Sequence, residues 1–440
     1  MPSELNSPEE HLAELALHAL MHHPTLSHGD WVDGTGAGSH TNHPTPTSRR
    51  PEMTAVMNQP GTVSDETLME FRARAAGYDR DNRFFQEDWN ALKAAGFMKA
   101  LVPTEFGGLG WSLPRYVTEI RRIAEYAPAT ALGVNMHSYW VGIAAEMRRL
   151  GDSSLEWILK EAAAGEIFAA GHSETGNDLP VFLSTTKAVR VEGGYRITGH
   201  KMFGSLSPVW TRYGCHAMTE DGQVIHAFMP RDTPGYKIKE TWDTLGMRAT
   251  RSDDTLLDGV FVPDRYIGRV LPAGTADLFV LCLFQMALGG IAAVYLGIAH
   301  RAMELAIESV GKKTSLALTR SMAYNPEVQH QVAKMAMKIE AMDAQMDRVV
   351  ADWDNNVDFG AKWPMKIVAN KYNVVEGSKE VVDRAMTVSG GSGMFKVNEL
   401  ERLYRDVRAG GFHPASTLLA PEIVGKIALG IDLGEQPRWG

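Results

Sequence analysis

Read for the spacing of its apolar residues, the chain changes period twice. From residue 64 apolar positions recur every three to four residues, the stripe of an amphipathic helix. This predicts helices over 65–83, 85–96, 113–126, 128–150 and 153–164. Ser64 precedes the first with Asp65 and Glu66 behind it, a hydroxyl cap followed by first-turn acids. Between 166 and 270 the period drops to two. Ala188-Val189-Arg190-Val191 and Tyr195-Arg196-Ile197-Thr198 alternate on either side of a Gly193-Gly194 turn, as half-buried strands do. Further strands are predicted at 213–219, 224–229, 236–242 and 255–262, separated by Asp221-Gly222 and Pro234-Gly235. Pro263-Asp264 is expected to close this module. The helical period then returns over 276–310, 326–354, 363–389, 399–407 and near 419–430, with Gly390-Gly391-Ser392-Gly393 breaking the third from the fourth. The expected organisation is an extension over 1–61, a helical domain over 62–165, a β domain over 166–272 and a helical bundle over 273–440.

Residues 1–61 are rich in His, Pro, Ser, Thr and Gly without sustained periodicity, and are expected to be a disordered extension. The histidines at 22, 23, 28, 40 and 43 read as scattered tail residues, and Met53 or Met57 is a candidate functional start. No basic stretch followed by an apolar run marks a signal peptide. Residues 278–298 are free of formal charge over the length of a membrane span. They contain Gln285 and Gly289-Gly290 and run on into an amphipathic stretch over 300–308, so a buried core helix is expected.

Composition narrows the function classes. At 440 residues, 44% hydrophobic and 22% charged, the chain can bury a large core shared by two or three domains. A net charge of −9 with acids and bases intermixed argues against nucleic acid as a partner. Cys215 and Cys282 stand apart with no CxxC, which argues against a disulfide framework or structural zinc and fits a reducing cytoplasm. No metal is expected.

Candidate chemistry concentrates at 168–207. Two hydroxyl-bearing loops, His172-Ser173-Glu174-Thr175-Gly176 and Phe203-Gly204-Ser205, bracket the first strands. Taken alone, Ser173 and Ser205 are turn serines, the glycines at 390–393 are a helix stop and Arg320 is a surface residue. His137, a lone histidine between apolar neighbours in a helix, is ordinarily a core residue.

Several motifs in order and register carry more. Val102-Pro103 with Gly107-Gly108-Leu109-Gly110, Ser173-Glu174-Thr175-Gly176, and Gly199-His200-Lys201-Met202-Phe203-Gly204-Ser205 come first. Leu245-Gly246-Met247-Arg248-Ala249-Thr250, Phe261-Val262-Pro263, Gly390-Gly391-Ser392-Gly393 and Leu403-Tyr404-Arg405-Asp406 follow. With the helix, β-module, helix layout they resemble the acyl-CoA dehydrogenase flavoproteins over about residues 64–430. The resemblance implies an α+β fold: an N-terminal helical domain, a central β-barrel-like domain and a C-terminal four-helix bundle. It implies FAD between the β domain and the bundle. His172 and Ser173 would hydrogen-bond the ring edge, Phe203 would cover the ring, and Ser205 would lie near N5. Donors there stabilise negative charge arriving on the reduced ring. Arg320 would reach a neighbouring subunit's pyrophosphate, which implies a dimer of dimers. Gly390 and Gly391 would let the backbone approach the dinucleotide, and Ser416 would lie near the adenosine half.

The resemblance breaks where the family places its base. Counting from Arg405-Asp406, the family glutamate falls at Pro414, which also lacks the backbone N–H used to hold a thioester carbonyl. The alternative base position falls near Ala287, a supporting arginine falls at Leu288, and no carboxylate lies between Asp277 and Glu304. His413 is the nearest titratable group and Glu422 a remoter one. Flavin monooxygenases of the same superfamily, such as the dibenzothiophene monooxygenases, resemble the chain at His137, Ser205 and His413. Two enzymatic readings therefore stand. One is hydride transfer from an acyl-CoA-like CH–CH donor to flavin N5, with an electron-transfer partner. The other is a flavin monooxygenase acting on a small hydrophobic substrate, fed by a separate reductase, with His137, Ser205 and His413 around the reacting edge. A degenerate non-catalytic paralogue is the third reading.

Overall fold

A computed structural model of the chain describes residues 61–431 and Leu433. The expected extension over 1–61 lies outside the described residues, apart from Gly61. The N-terminal helices are α1 (Asp65–Arg80), α2 (Gln86–Ala94), α3 (Leu113–Ala124), α4 (Pro128–Arg149) and α5 (Glu156–Ala164). The Ser64 hydroxyl accepts from the Thr67 amide at 3.2 Å, so the expected cap is formed. Pro128 opens α4, where its missing N–H costs nothing.

Eight strands follow: β1 (Phe168–Gly171), β2 (Lys187–Val191), β3 (Gly194–Gly204), β4 (Arg212–Met218), β5 (Gln223–Pro230), β6 (Tyr236–Lys239), β7 (Asp253–Pro263) and β8 (Ile267–Pro272). They form one sheet in the order β6-β7-β3-β2-β4-β5-β8, with β1 pairing parallel to β4. β7 alternates buried and solvent-facing positions along most of its length, as the period-2 pattern requires. One expectation is corrected. Pro263 does not close the module: it ends β7, a short turn at Asp264–Tyr266 reverses the chain, and β8 then pairs antiparallel with β5. Proline is tolerated there because it stands at a strand terminus.

The C-terminal helices are α6 (Leu278–Lys312), α7 (Pro326–Asp354), α8 (Trp363–Ser389), α9 (Glu399–Arg408) and α10 (Leu419–Leu429). α6 is long and apolar enough to cross a membrane, but its apolar stretch is buried inside the protein. It packs against α3, α4, α7 and α8, so apolar residues all round its girth are what its position demands. The Gly289-Gly290 pair has a packing reason. A Cβ on Gly290 would stand 1.9 Å from Asn135 Oδ1 on α4, so only glycine admits that approach. The two cysteines are free and buried.

Candidate functional site

A cavity of about 360 Å³ opens where the three domains meet, a volume typical of small-molecule sites. One wall comes from the β domain, where the chain leaves β1 and β3 and enters β7. The opposite wall is α6 together with the segment joining α9 to α10. α4 supplies one side through Leu132, Met136 and Tyr139.

On the β wall, Glu174 and Lys201 hold the loop after β1. Both side chains are fully buried, and Lys201 Nζ donates to Glu174 Oε1 at 2.6 Å and to the His216 carbonyl at 2.6 Å. Glu174 also accepts from the Ser184 hydroxyl, the Thr185 and Thr186 amides and the Asn177 side chain. This cage folds residues 173–186 back on themselves and sets Leu179–Leu183 against the cavity. Burial works against ionised Glu174, but Lys201 and the donors outweigh it and hold the carboxyl down to about 2. His172 and Ser173 line the cavity beside this cage. His172 Nε2 is buried with no hydrogen-bond partner among the described residues. Burial and the Lys201 charge push the ring down to about 3, so the imidazole is neutral.

Ser205 closes the same wall. Its hydroxyl lies 2.7 Å from that of Ser252, which lies 2.7 Å from that of Thr250. Thr250 donates to the Met247 carbonyl at 2.8 Å. Each hydroxyl has one proton, so the carbonyl at the end fixes the direction of the chain. Thr250 must accept from Ser252, and Ser252 from Ser205. Ser205 therefore meets the cavity as an acceptor. Beside it Phe203 adopts φ +56 and is 50% exposed, with Trp242 packed edge-on at 5.8 Å. A non-glycine residue held in the left-handed region signals a constraint on where its side chain points.

The facing wall is different in kind. Ala287, Leu288, Phe412, His413 and Pro414 line it. His413 Nε2 stands 2.8 Å from the Tyr295 hydroxyl of α6. Burial and the nearby Lys371 charge push His413 down to about 3. Lys371, itself buried, donates to the Ala415 carbonyl at 2.9 Å. Among the described residues lining the cavity, the carboxylate is Glu422, which pairs with Lys426 at 3.4 Å.

The structure thus brings His172, Ser173, Phe203, Ser205 and His413 to one cavity. It does not bring His137 there. Cavity-lining Leu132, Met136 and Tyr139 repeat at i, i+4 and i+7 on α4, and His137 is turned about 100° away from Met136. Its Nε2 lies 2.9 Å from the Met98 carbonyl, and its Nδ1 accepts the Phe168 amide at 3.1 Å. Both nitrogens are engaged by backbone, and burial lowers the ring to about 4. As placed, His137 is a core residue joining α4 to β1. Arg320 lies in the exposed connection between α6 and α7, its guanidinium 5.0 Å from the Tyr324 ring. Gly390 and Gly391 form the turn after α8, and the Ser416 hydroxyl accepts the Leu419 amide at the start of α10. None of these four lines the cavity. Sequence reasoning gave no role to Ser252, Trp242, Tyr295 or Lys371, and quoted Thr250 only as part of a motif. Among the described residues no group of three or more His, Cys, Asp or Glu side chains could hold a metal.

The β wall fits a flavin. It offers an aromatic side chain beside an apolar chamber, an orphaned imidazole nitrogen and a hydroxyl acceptor at the rim, which suit a planar ring with polar edges.

Comparison with known proteins agrees with this geometry. The family model of the acyl-CoA dehydrogenase N-terminal domain matches residues 62–155, and that of the acyl-CoA dehydrogenase C-terminal domain matches residues 289–417. The chain is 28% identical to YdbM of Bacillus subtilis (strain 168), whose name places it among acyl-CoA dehydrogenases, over 81% of this chain and 92% of that protein. It is 27% identical to the amino sugar nitrososynthase RubN8 of Streptomyces rubradiris, over 84% and 90%. The fold superposes with a TM-score of 0.75, at 25% identity and over 88% and 95% of the two chains, on KijD3 in complex with FMN and dTDP-3-amino-2,3,6-trideoxy-4-keto-3-methyl-D-glucose.

Proposed function

The chain belongs to the acyl-CoA dehydrogenase superfamily, and from that premise we propose that it is a flavin-dependent monooxygenase acting on a small, largely apolar substrate. It is a flavoenzyme of the oxidoreductase class; the oxygenase assignment is the finer reading. The observation that carries it is the makeup of the C-terminal wall. Acyl-CoA dehydrogenation needs a base for the α-proton, worth about 10²–10⁴-fold. The base position is Pro414, and the carboxylate lining the cavity, Glu422, is tied to Lys426. Oxygenation needs no such base. It needs a chamber that excludes water and hydrogen-bonding groups near the reacting atoms, which the apolar side chains of α6 and His413 would supply.

When bound, reduced flavin supplies the electrons that activate dioxygen. The residues of this chain would hold and surround it. His172 Nε2 and the Ser173 loop would meet the ring edge, and Ser205 would accept a ring N–H. Phe203 would cover the ring. Phe284, Leu288 and Ile291 of α6 line the cavity and would receive the apolar body of the substrate. The likeness to a nitrososynthase and to the KijD3 complex supports a heteroatom-bearing substrate. FAD is the proposed flavin, with Arg320 of one subunit and Gly390, Gly391 and Ser416 of another receiving its ADP half in a dimer of dimers. A separate reductase would supply the electrons.

The second reading, hydride transfer from an acyl-CoA, rests on the family models and on the likeness to YdbM. One experiment separates the two. Protein loaded with FAD or FMN is mixed anaerobically with short, medium, branched and aromatic acyl-CoAs. It is then reduced chemically and mixed with oxygen and a panel of apolar amines, thioethers and indoles. The oxygenase reading expects no bleaching by acyl-CoAs and an oxygenated product from the panel. Bleaching by any acyl-CoA overturns it. Failure to retain any flavin favours the non-catalytic reading.

A further inference from the structure

His413 can face the cavity in either of two neutral forms, and they have opposite chemistry. With Nδ1 bare it accepts a proton; with Nδ1 protonated it donates a hydrogen bond. We infer that Tyr295 fixes His413 in the Nδ1–H form, making it a hydrogen-bond donor to whatever occupies the cavity and removing it as a base. The inference deepens the oxygenase reading and rests on it for the occupant alone.

The contact is short and enclosed. Tyr295 is wholly buried in α6, and its hydroxyl lies 2.8 Å from His413 Nε2. Either group could donate. If Nε2–H donated, the phenol proton would be sealed in the core with no acceptor, since the Tyr295 hydroxyl has no other partner among the described residues. If the phenol donates, every polar hydrogen at the contact is used. A buried donor left unmatched shifts such an equilibrium by about tenfold or more. The phenol therefore donates, Nε2 is the acceptor, and the ring proton resides on Nδ1, the nitrogen left for the cavity.

The surroundings keep both rings in that state. His413 stays neutral because burial and Lys371 oppose its charge. Tyr295 stays a phenol because burial, and then the charge of Asp406, push it well above its ordinary value. The backbone that carries His413 is held in place. Lys371 holds the Ala415 carbonyl at 2.9 Å and the His413 carbonyl at 3.5 Å. Pro414 fixes its own φ, and Ala415 sits at φ +53. Gly410 packs so closely that a Cβ there would stand 3.1 Å from the Tyr295 ring.

The consequence is chemical. The group adjacent to the vacant base position cannot take a substrate proton, so the acyl-CoA reaction loses its nearest substitute base. What Nδ1–H can hold is an acceptor: a carbonyl or hydroxyl oxygen of the substrate, or dioxygen as it gains negative charge. Tyr295 acts through His413 and is a positioning residue.

The test is solid-state ¹⁵N NMR on flavin-loaded protein carrying labelled histidine, with His413 identified by comparison with His413→Asn. The expected spectrum has a protonated Nδ1 and a bare Nε2, unchanged across the ordinary histidine value of 6.5. In Tyr295→Phe the tautomer ratio should move about tenfold toward Nε2–H, and kcat for oxygenation should fall about tenfold with KM little altered. A wild-type spectrum showing Nε2–H overturns the inference, as does a ratio unmoved in Tyr295→Phe. If that variant fails to fold, the wild-type spectrum alone decides. The spectrum reads the tautomer whatever reaction the enzyme performs, so failure of the oxygenase reading would appear in the product assay and leave the spectrum intact.

Discussion

The two walls of the cavity are built by different rules. On the β wall, most polar groups come in closed sets, with His172 Nε2 left over. Glu174 is caged by Lys201, two hydroxyl or amide side chains and two backbone amides, and three hydroxyls run head to tail from Ser205 to the Met247 carbonyl. On the C-terminal wall, a neutral histidine held by one tyrosine stands among apolar side chains, above a buried lysine that clasps backbone carbonyls, with Arg405, Arg408 and the Glu422–Lys426 pair also on the lining. The wall that resembles the family is the one suited to the flavin. The wall that departs from it is where the family keeps its proton acceptor. Membership and reaction are thus carried by different residues, and likeness at the cofactor wall says little about chemistry at the other.

The largest effect should come from breaking the cage. Lys201→Met leaves Glu174 buried without its cation, a change worth about 3–5 kcal/mol of stability. Urea unfolding measures it directly. The pH dependence has a definite sign. The folded carboxyl of Glu174 lies near 2 against an ordinary 4.5, burial opposing and Lys201 prevailing. A depressed carboxyl stabilises the fold above its ordinary value, and that contribution is lost as pH falls from 4.5 toward 2. Wild type should weaken through this window, and Lys201→Met should weaken much less. If the variant unfolds at the same urea concentration as wild type, the cage does not hold this wall.

His413→Ala tests the other wall. Removing one preorganised donor should lower kcat for oxygenation by about 10²–10³-fold, with the fold intact. Because the ring lies near 3 in the folded protein, the ratio of wild-type to variant kcat should stay constant through 6.5. A ratio that collapses as pH drops through 6.5 would mean that His413 works as a base, and the contrast between the walls would be lost.

How much of this was legible in the sequence differs between the walls in the same way. The amphipathic helices, and strands such as β2 and β7, were readable because each shows one face to solvent, so its period survives in the residue pattern. The β loops were readable because their motifs are local: His172, Ser173 and Glu174 are adjacent, as are Phe203 and Ser205. Tyr295 was not readable. It lies in a helix that is apolar all round, where no period marks the face turned to a site 118 residues onward. The hydroxyl chain was hidden for a related reason, since Ser205 and Ser252 meet across 47 residues through the pairing of β3 with β7. His137 could not be placed from the sequence, because one residue along α4 separates the face that lines the cavity from the face His137 occupies.

Arg320→Ala addresses the cofactor beyond the cavity. If Arg320 meets the pyrophosphate of FAD on a neighbouring subunit, its loss removes a charge-assisted contact of about 1.5–3 kcal/mol. Fluorescence titration of flavin-free protein should then show FAD weakened about 10- to 100-fold with FMN unaffected. Equal weakening of both would mean that the residue does not read the ADP half.

The smallest effect is the most specific to the β wall. In wild type the proton of Ser205 is committed to Ser252, so Ser205 could only accept from a flavin ring N–H if one is bound beside it. Ser252→Ala frees that proton. Ser205 could then donate to the oxidised ring, whose nitrogen is an acceptor, as readily as it accepts from the reduced one. The variant should therefore favour oxidised flavin by about 0.5–1.5 kcal/mol, the net worth of one hydrogen bond. On the two-electron scale this lowers the midpoint potential by roughly 10–30 mV. Reductive titration against a dye of known potential measures it, with Ser205→Ala as the control in which Ser252→Ala should have no further effect. An unchanged potential would place Ser205 away from the redox-active edge, and the β wall would then be a structural network that happens to border the flavin.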